Sequence, residues 1–267
     1  MSRIRAVVFD WAGTMVDFGC QAPVAALIDA FASEGVTLSA ADARRDMGRA
    51  KRDHVRALLA YSQVAQAWAD RQGRPPGEAD GDRIYAALEP LMASAAVRFG
   101  DLIPGAAEVA SALRAAGVRV GSCTGYTRAM MSGILPSAAA QGYAPEVVVC
   151  AGETPSGRPS PLMLWQALVS LDAWPAALCV KVDDAEVGMG EGRSAGCWAV
   201  GVAASGNGVG LTAAELQALE EPDRRDRIRR AGDQLEGAGA HIVIDTVADL
   251  PVALADIEQR VERGETP

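Results

Sequence analysis

Six short runs of apolar, largely β-branched residues recur along this chain: AVVFDW (6–11), VRVGSCTG (118–125), EVVVCAG (146–152), LCVKVDD (178–184), WAVGVA (198–203) and HIVID (241–245). Each is continuous rather than alternating. That is the pattern of a strand buried on both faces, as in a parallel sheet. Helical patterns separate them. PGAAEVASALRAAGV (104–118) opens on proline and closes on glycine, a helix start and stop. LMLWQALVSLD (162–172) is a second helix, and Thr212 with Glu215 gives a third the spacing of a capping box. Strands alternating with helices predict an α/β fold with a Rossmann-like, doubly wound parallel sheet.

One interval breaks the alternation. From about Cys20 to about Gly100 the text is helical throughout, in stretches such as PVAALIDAFASEG, DHVRALLAYS and DRIYAALEPLMASAAVR. The expected organisation is a Rossmann-like core of residues 1–19 and 101–267 with an all-helical cap, residues 20–100, inserted after the first strand. The segment EEPDRRDRIRRAGDQLEG (220–237) reads as a solvated helix.

The chain has 267 residues, of which 49% are hydrophobic, enough for a full core. A net charge of -9 argues against nucleic acid as a partner, because phosphate backbones attract clustered Lys and Arg. There is no signal-peptide pattern at MSRIRAVVFD and no apolar stretch of membrane-spanning length, so no membrane is expected and the cytoplasm is the default location. The five cysteines show no C-x-x-C pair, which suggests neither a disulfide framework nor a zinc knuckle; four of them lie in strand-like runs as small core residues.

Ligands in open parallel sheets bind beyond the carboxyl ends of the strands. Asp10 is expected at such an end, as are Thr124 in SCTG and the pair Asp183-Asp184 after LCVKV. Arg158 lies in the intervening loop PSGRPSP. Clustered carboxylates suit Mg²⁺, which takes hard oxygen ligands. A hydroxyl, a cation and turn N–H groups suit a phosphoryl group. Singly these residues are unremarkable. An Asp at a strand end can cap a turn, and an acidic pair is usually solvated. Their order and placement together favour a functional site.

The order D-x-x-G-T, T-G, a basic residue and D-D resembles the haloacid dehalogenase superfamily of aspartate-nucleophile phosphotransferases. Most phosphatases of that superfamily carry a second Asp two positions after the first, as a general acid for the leaving oxygen. Here that position is Ala12. A P–O leaving group benefits from a proton donor. A P–C leaving group needs an electron sink instead, and a lysine imine supplies one. The stretch DMGRAKRDHVRA offers Lys51, three residues before His54. Together with FDWAGTMVDFGC, SCTGYT, GRPSP and GLTAAEL, it is similar to the phosphonatase family, the phosphonoacetaldehyde hydrolases, over essentially the whole chain.

The resemblance implies hydrolysis of a small-molecule phosphonate substrate through a lysine imine and an aspartyl phosphate, with Mg²⁺ as cofactor and a homodimer as assembly. Asp10 matches the nucleophile and Lys51 the imine-forming lysine. Thr124 and Arg158 match the groups holding the phosphoryl oxygens. Cys20, Met47, His54 and Tyr126 match residues lining the aldehyde end, and Gly48 a point where the cap backbone comes close to substrate. Asp10, the Ala12 carbonyl, Asp184 and Asp183 match the metal site. Many superfamily members carry an Asp four residues after the G-D pair, where this chain has Gly188 and an extra Asp183. Asp184 aligns with the Asp of the G-D pair and is the first choice for the direct metal ligand, with Asp183 then behind it; Asp183 is the alternative ligand. Burial and nearby Arg49 or Arg52 are expected to lower the pKa of Lys51, and Trp68 with nearby alanines to offer dimer surface.

Two other functions compete. A phosphatase or phosphomutase acting on a C–O–P substrate fits the superfamily, but Ala12 opposes it. A phosphoacceptor receiver module shares the sheet and an acidic pair, but carries them in the reverse order and has no large helical insert. Ordinary structural roles are assigned to His241, Met130, Met131 and Trp11, and Asp17 is expected to fix the segment after the first strand by bonding to backbone.

Overall fold

The computed structural model describes residues 2–267. All six apolar runs form strands: β1 (Ala6–Phe9), β2 (Arg119–Thr124), β3 (Val147–Cys150), β4 (Cys179–Asp183), β5 (Trp198–Val202) and β6 (Ile242–Ile244). They make one parallel sheet in the order β3-β2-β1-β4-β5-β6. The chain steps outward from β1 to β3, then crosses back to β4 on the other side of β1. This reversal opens a crevice beyond the carboxyl ends of β1 and β4.

Between β1 and β2 come α1 (Gln21–Ser33), α2 (Ala40–Arg44), α3 (Lys51–Ala60), α4 (Ser62–Gln72) and α5 (Glu78–Arg98), then α6 (Ala106–Ala115), with no strand among them. The entry to α1 is fixed by Asp17. Its carboxylate accepts from the N–H groups of Gln21 (2.8 Å) and Ala22 (2.9 Å), two donors that the helix itself leaves unpaired. Helices α1 and α3 pack on α5, which also packs on α7 (Arg128–Ala140) of the sheet-bearing part. Trp68 is fully buried within the inserted helices, so it cannot serve the surface role expected of it. Among the described residues the large apolar side chains most open to solvent are Trp165, Val169, Trp174 and Val252.

Alternate strand residues face opposite sides. Val7, Phe9, Val120, Val180, Val182 and Val200 enter one apolar cluster with α6 (Ala106–Ala115), α7 and α12 (Leu250–Glu262). Ala6, Val8, Cys123, Val149, Cys179 and Cys197 enter another with α8 (Leu162–Ser170). Both faces are covered, which is why the runs are apolar without alternation. Helix α9 (Glu186–Ala195) lies against β4 and β5. The capping box of α10 (Ala213–Ala218) forms as expected between Thr212 and Glu215. The charge-rich α11 (Glu221–Gly237) is not wholly solvated: Ala231, Gly232 and Leu235 are buried toward β5 and β6. No helix among the described residues is long and apolar enough to cross a membrane.

Candidate active site

The N–H of Asp10 continues the ladder, donating to the Val182 carbonyl at 2.9 Å. Its carboxylate therefore emerges at the end of the central strand, beside Asp183 and Asp184 at the end of β4. The turn that follows is built on Gly13, with φ of 80°. A Cβ there would lie 2.4 Å from the Asp184 carboxylate and 2.7 Å from the Cys20 sulfur, so the backbone approach needs glycine.

A small cavity of about 20 Å³ lies over these strand ends. Its walls include Asp10, Ala12, Cys20, Met47, Gly48, Lys51, Thr124, Tyr126 and Asp184. Nine of the residues singled out in the sequence thus meet around one hollow, with room for roughly one water molecule. Arg158, Asp183 and His54 do not line it. Arg158 and Asp183 lie behind Asp10, and His54 is buried one turn beyond Lys51 on α3.

The inserted helices close against the sheet by backbone contact. A Cβ on Gly125 would meet the Arg49 carbonyl oxygen at 2.6 Å, and one on Gly48 would meet Ala185 and Val187 at 2.8 and 2.7 Å. Gly48, with φ of 89°, is thus required for the insert to seat on the loop after β4. Arg44 adds donors to the carbonyls of Gly19 and Gly210, both at 2.8 Å.

Lys51 opens α3 and is 2% exposed. Its Nζ is 3.6 Å from the Met47 sulfur and 5.2 Å from the centre of the Tyr126 ring. Burial lowers its pKa from 10.5 to about 8, with Arg158 adding to the fall and Asp10 and Asp184 opposing it. Burial acts as expected, but the expected help from Arg49 or Arg52 is not found: Arg49 pairs with Asp46 and Arg52 with Asp82. His54 is held neutral, its pKa lowered to about 3 by burial and by Lys51. Burial, with Asp184 and Asp17 nearby, keeps Cys20 a thiol. That thiol donates to Asp184 Oδ2 at 3.2 Å.

One carboxylate oxygen from each of Asp10, Asp183 and Asp184 lies within 4.8 Å of the others. Asp10 Oδ1 accepts from Arg158 at 2.7 Å, and Asp184 Oδ2 accepts from Cys20 and from the N–H of Asn207 (2.7 Å). Among the described residues the second oxygen of each has no hydrogen-bond partner. Asp183 is more fully engaged: Oδ1 takes the Ala185 N–H at 3.0 Å, and Oδ2 faces Arg158 at 3.2 Å and Lys181 at 3.0 Å. Burial opposes its ionisation, but Arg158 and Lys181 outweigh that and hold its pKa below the usual range. The pKa of Asp184 is raised to about 8 by burial, then by Asp183 and Asp10. The two cations Arg158 and Lys181 balance two of the four carboxylates Asp10, Asp183, Asp184 and Glu191. With all four ionised, two negative charges would be left unbalanced, and the raised pKa of Asp184 expresses that crowding; Asp10 and Asp184 both line the hollow, each with an oxygen free of hydrogen bonds. A divalent, oxygen-seeking ion such as Mg²⁺ fits that donor set.

A family model described as haloacid dehalogenase-like hydrolase matches residues 4–196. The chain is 49% identical to the phosphonoacetaldehyde hydrolase of Paraburkholderia phytofirmans, covering 100% of both chains. It belongs to the phosphonoacetaldehyde hydrolase family. As a member of that family, within the haloacid dehalogenase-like hydrolases, it is an enzyme. It is also 44% identical to the phosphonoacetaldehyde hydrolase of Klebsiella pneumoniae, over 100% of both chains. A crystal structure of a phosphonoacetaldehyde hydrolase-like protein from Oleispira antarctica superposes with a TM-score of 0.98. It is 40% identical, with 100% of this chain and 96% of that one covered. A β-phosphoglucomutase from Clostridium difficile shares the fold at a TM-score of 0.69 and 14% identity, covering 97% of this chain and 99% of that one.

Sequence reasoning missed Lys181 and Glu191, both fully buried beside Arg158. A signal for Lys181 was present: a lysine inside the apolar run LCVKV has no place in a strand covered on both faces unless a counter-charge meets it. Glu191 carried no such signal, because a glutamate in a helix is ordinarily exposed.

Proposed function

We propose that this protein hydrolyses the carbon–phosphorus bond of phosphonoacetaldehyde, releasing acetaldehyde and phosphate. The observation that carries this reading is a buried amine of lowered pKa, Lys51, sharing one hollow with the carboxylate of Asp10, where an alanine takes the place of a general acid. The names of the relatives support the same substrate. In this reading residues 20–100 are a cap over a core of residues 1–19 and 101–267. The hollow must widen by cap movement to admit substrate.

Lys51 Nζ adds to the aldehyde carbon and expels water, giving a protonated imine. Asp10 attacks phosphorus, the P–C bond breaks, and its electron pair flows into the C=N⁺ bond, leaving an enamine on Lys51 and a phosphoryl group on Asp10. Arg158 and Thr124 hold the phosphoryl oxygens. Cys20, still a thiol, is a proton-bearing group at the carbon end, where Met47, Tyr126 and His54 shape the pocket or stand behind it. Protonation at carbon and hydrolysis free acetaldehyde and Lys51; water then cleaves the acyl phosphate to restore Asp10. Mg²⁺, held by Asp10, Asp184 and the Ala12 carbonyl with Asp183 behind them, would supply charge neutralisation at the phosphonyl group.

The test follows phosphate and acetaldehyde together during incubation with phosphonoacetaldehyde and Mg²⁺, with a parallel sample reduced by borohydride and mapped by mass. Equimolar products and a two-carbon adduct on Lys51 are expected, and Lys51→Arg should give neither, since guanidinium is not deprotonated in proteins. Cleavage of simple phosphate esters without either product would favour a C–O–P phosphatase instead. The family also implies a homodimer located in the cytoplasm. Sedimentation equilibrium tests the assembly, and a single monomeric mass at micromolar concentration would overturn it.

A further inference from the structure

Behind the nucleophile lies a closed set of charges, two of which, Lys181 and Glu191, no step above uses. Arg158 is held on every side. Its Nη1 meets Asp10 Oδ1 at 2.7 Å and Asp183 Oδ2 at 3.2 Å, its Nε meets Glu191 Oε2 at 3.0 Å, and its Nη2 donates to the Cys123 carbonyl at 2.5 Å. Lys181 braces the same two carboxylates from below, 3.0 Å from Asp183 and 3.4 Å from Glu191. Lys181 and Asp183 are two apart on β4, so they project from one face of the sheet toward α9.

That helix is carved to receive them. It carries glycine at 188, 190 and 192, and each interior glycine costs a helix about 1 kcal/mol relative to alanine. A Cβ at Gly188 would lie 2.1 Å from the Asp183 carboxyl carbon. One at Gly190 would meet Pro159, next to Arg158, at 3.0 Å, and one at Gly192 would meet the Lys181 stem at 3.0 Å. Gly188 and Gly192 make room for Asp183 and Lys181 themselves, and Gly190 for the proline beside Arg158. Stability gives no reason for this, because buried ion pairs can often be replaced by apolar residues at no loss. A planar guanidinium that must meet phosphoryl oxygens in one orientation does give a reason.

We propose that Lys181 and Glu191 are positioning residues that fix the Arg158 guanidinium against Asp10, acting through its Nε and through Asp183. The proposal rests on the reading of Arg158 as a holder of the phosphoryl group. Glu191 sets the plane of the guanidinium from its Nε. Lys181 shares the charge of Asp183 and Glu191, so that neither draws Arg158 away from Asp10.

The test compares wild type with Glu191→Gln, Lys181→Met and the double variant. Three quantities are measured: the dissociation constant of inorganic phosphate by calorimetry, kcat and KM for phosphonoacetaldehyde, and the borohydride-trapped adduct of acetaldehyde on Lys51. Each single variant should weaken phosphate binding and lower kcat/KM by roughly tenfold or more, the scale of a charge-assisted hydrogen bond. Acetaldehyde trapping should stay at the wild-type rate, and the double variant should lose less than the product of the two single losses. Folded variants with wild-type phosphate affinity and kcat/KM overturn the proposal, whatever their melting temperature. So does an equal fall in phosphate binding and trapping, which marks general collapse of the site. If a variant does not fold, Glu191→Asp and Lys181→Arg are judged by the same criteria. Failure of wild type to cleave phosphonoacetaldehyde would instead defeat the proposed function, while the phosphate-binding arm would still decide the role of Lys181 and Glu191.

Discussion

At Lys51 two effects compete for one proton. Burial favours the neutral amine, and the carboxylates of Asp10 and Asp184 favour the ammonium; burial wins, and the pKa falls to about 8. Because the folded chain holds this proton less tightly than the unfolded one, the penalty for burying Lys51 is full below about pH 8 and is relieved as pH rises toward 10.5. Two outcomes follow. The rate of acetaldehyde trapping on Lys51 should rise with pH, pass its midpoint near 8 and then level off. A trapping rate flat from pH 6 to 9 would contradict the lowered pKa. Lys51→Met should abolish turnover yet melt at a higher temperature than wild type at pH 7, with the gap closing as pH rises. Calorimetric scans at pH 7 and pH 9.5 check the sign.

Elements here are joined by single carboxylates. Asp17 supplies the cap that α1 lacks, since Cys20 at the helix start makes no side-chain cap bond. Asp17→Ala should lower the free energy of unfolding by about 1 kcal/mol, as lost caps do, read as a shift in the urea midpoint at constant slope. The larger effect belongs to α9. Gly188→Ala gains helix propensity, but its methyl would overlap the buried, ion-paired carboxylate of Asp183. That carboxylate is short and held by two cations, so it cannot swing aside cheaply. A net destabilisation of about 1–3 kcal/mol is expected from overpacking, together with loss of most activity. An alanine variant as stable and as active as wild type would show that Asp183 yields without consequence.

On the scale of the whole molecule, the sheet supplies a rigid base and the inserted helices supply the amine. Trp68 anchors the interior of those helices, and Trp68→Ala should cost about 3–5 kcal/mol, as large aromatic deletions do. Equilibrium urea unfolding followed by far-ultraviolet circular dichroism measures that cost. The hollow between insert and sheet is shut tightly, by Gly48 and Gly125 at backbone contact and by Arg44 across to Gly210.

The strands were legible from the residues alone, because a parallel sheet covered on both faces forces unbroken apolar runs, and all six appear where those runs lie. The residues around the hollow were legible as well, since Asp10, Thr124 and Asp184 follow from strand ends, and Cys20, Met47, Gly48, Lys51 and Tyr126 from a family resemblance. Two boundaries were less legible. Helix α11 looked solvated because its few buried residues are small, and Trp68 looked like surface because composition does not reveal which face of a helix is covered. The surroundings of Arg158 emerge only from the folded arrangement. Lys181, Glu191 and the three glycines of α9 lie on β4 and on the helix after it, and no local pattern says that they close on a loop about thirty residues upstream. Charge pairing across a fold depends on distance in space, and that distance exists only once the helix has been laid against the strand.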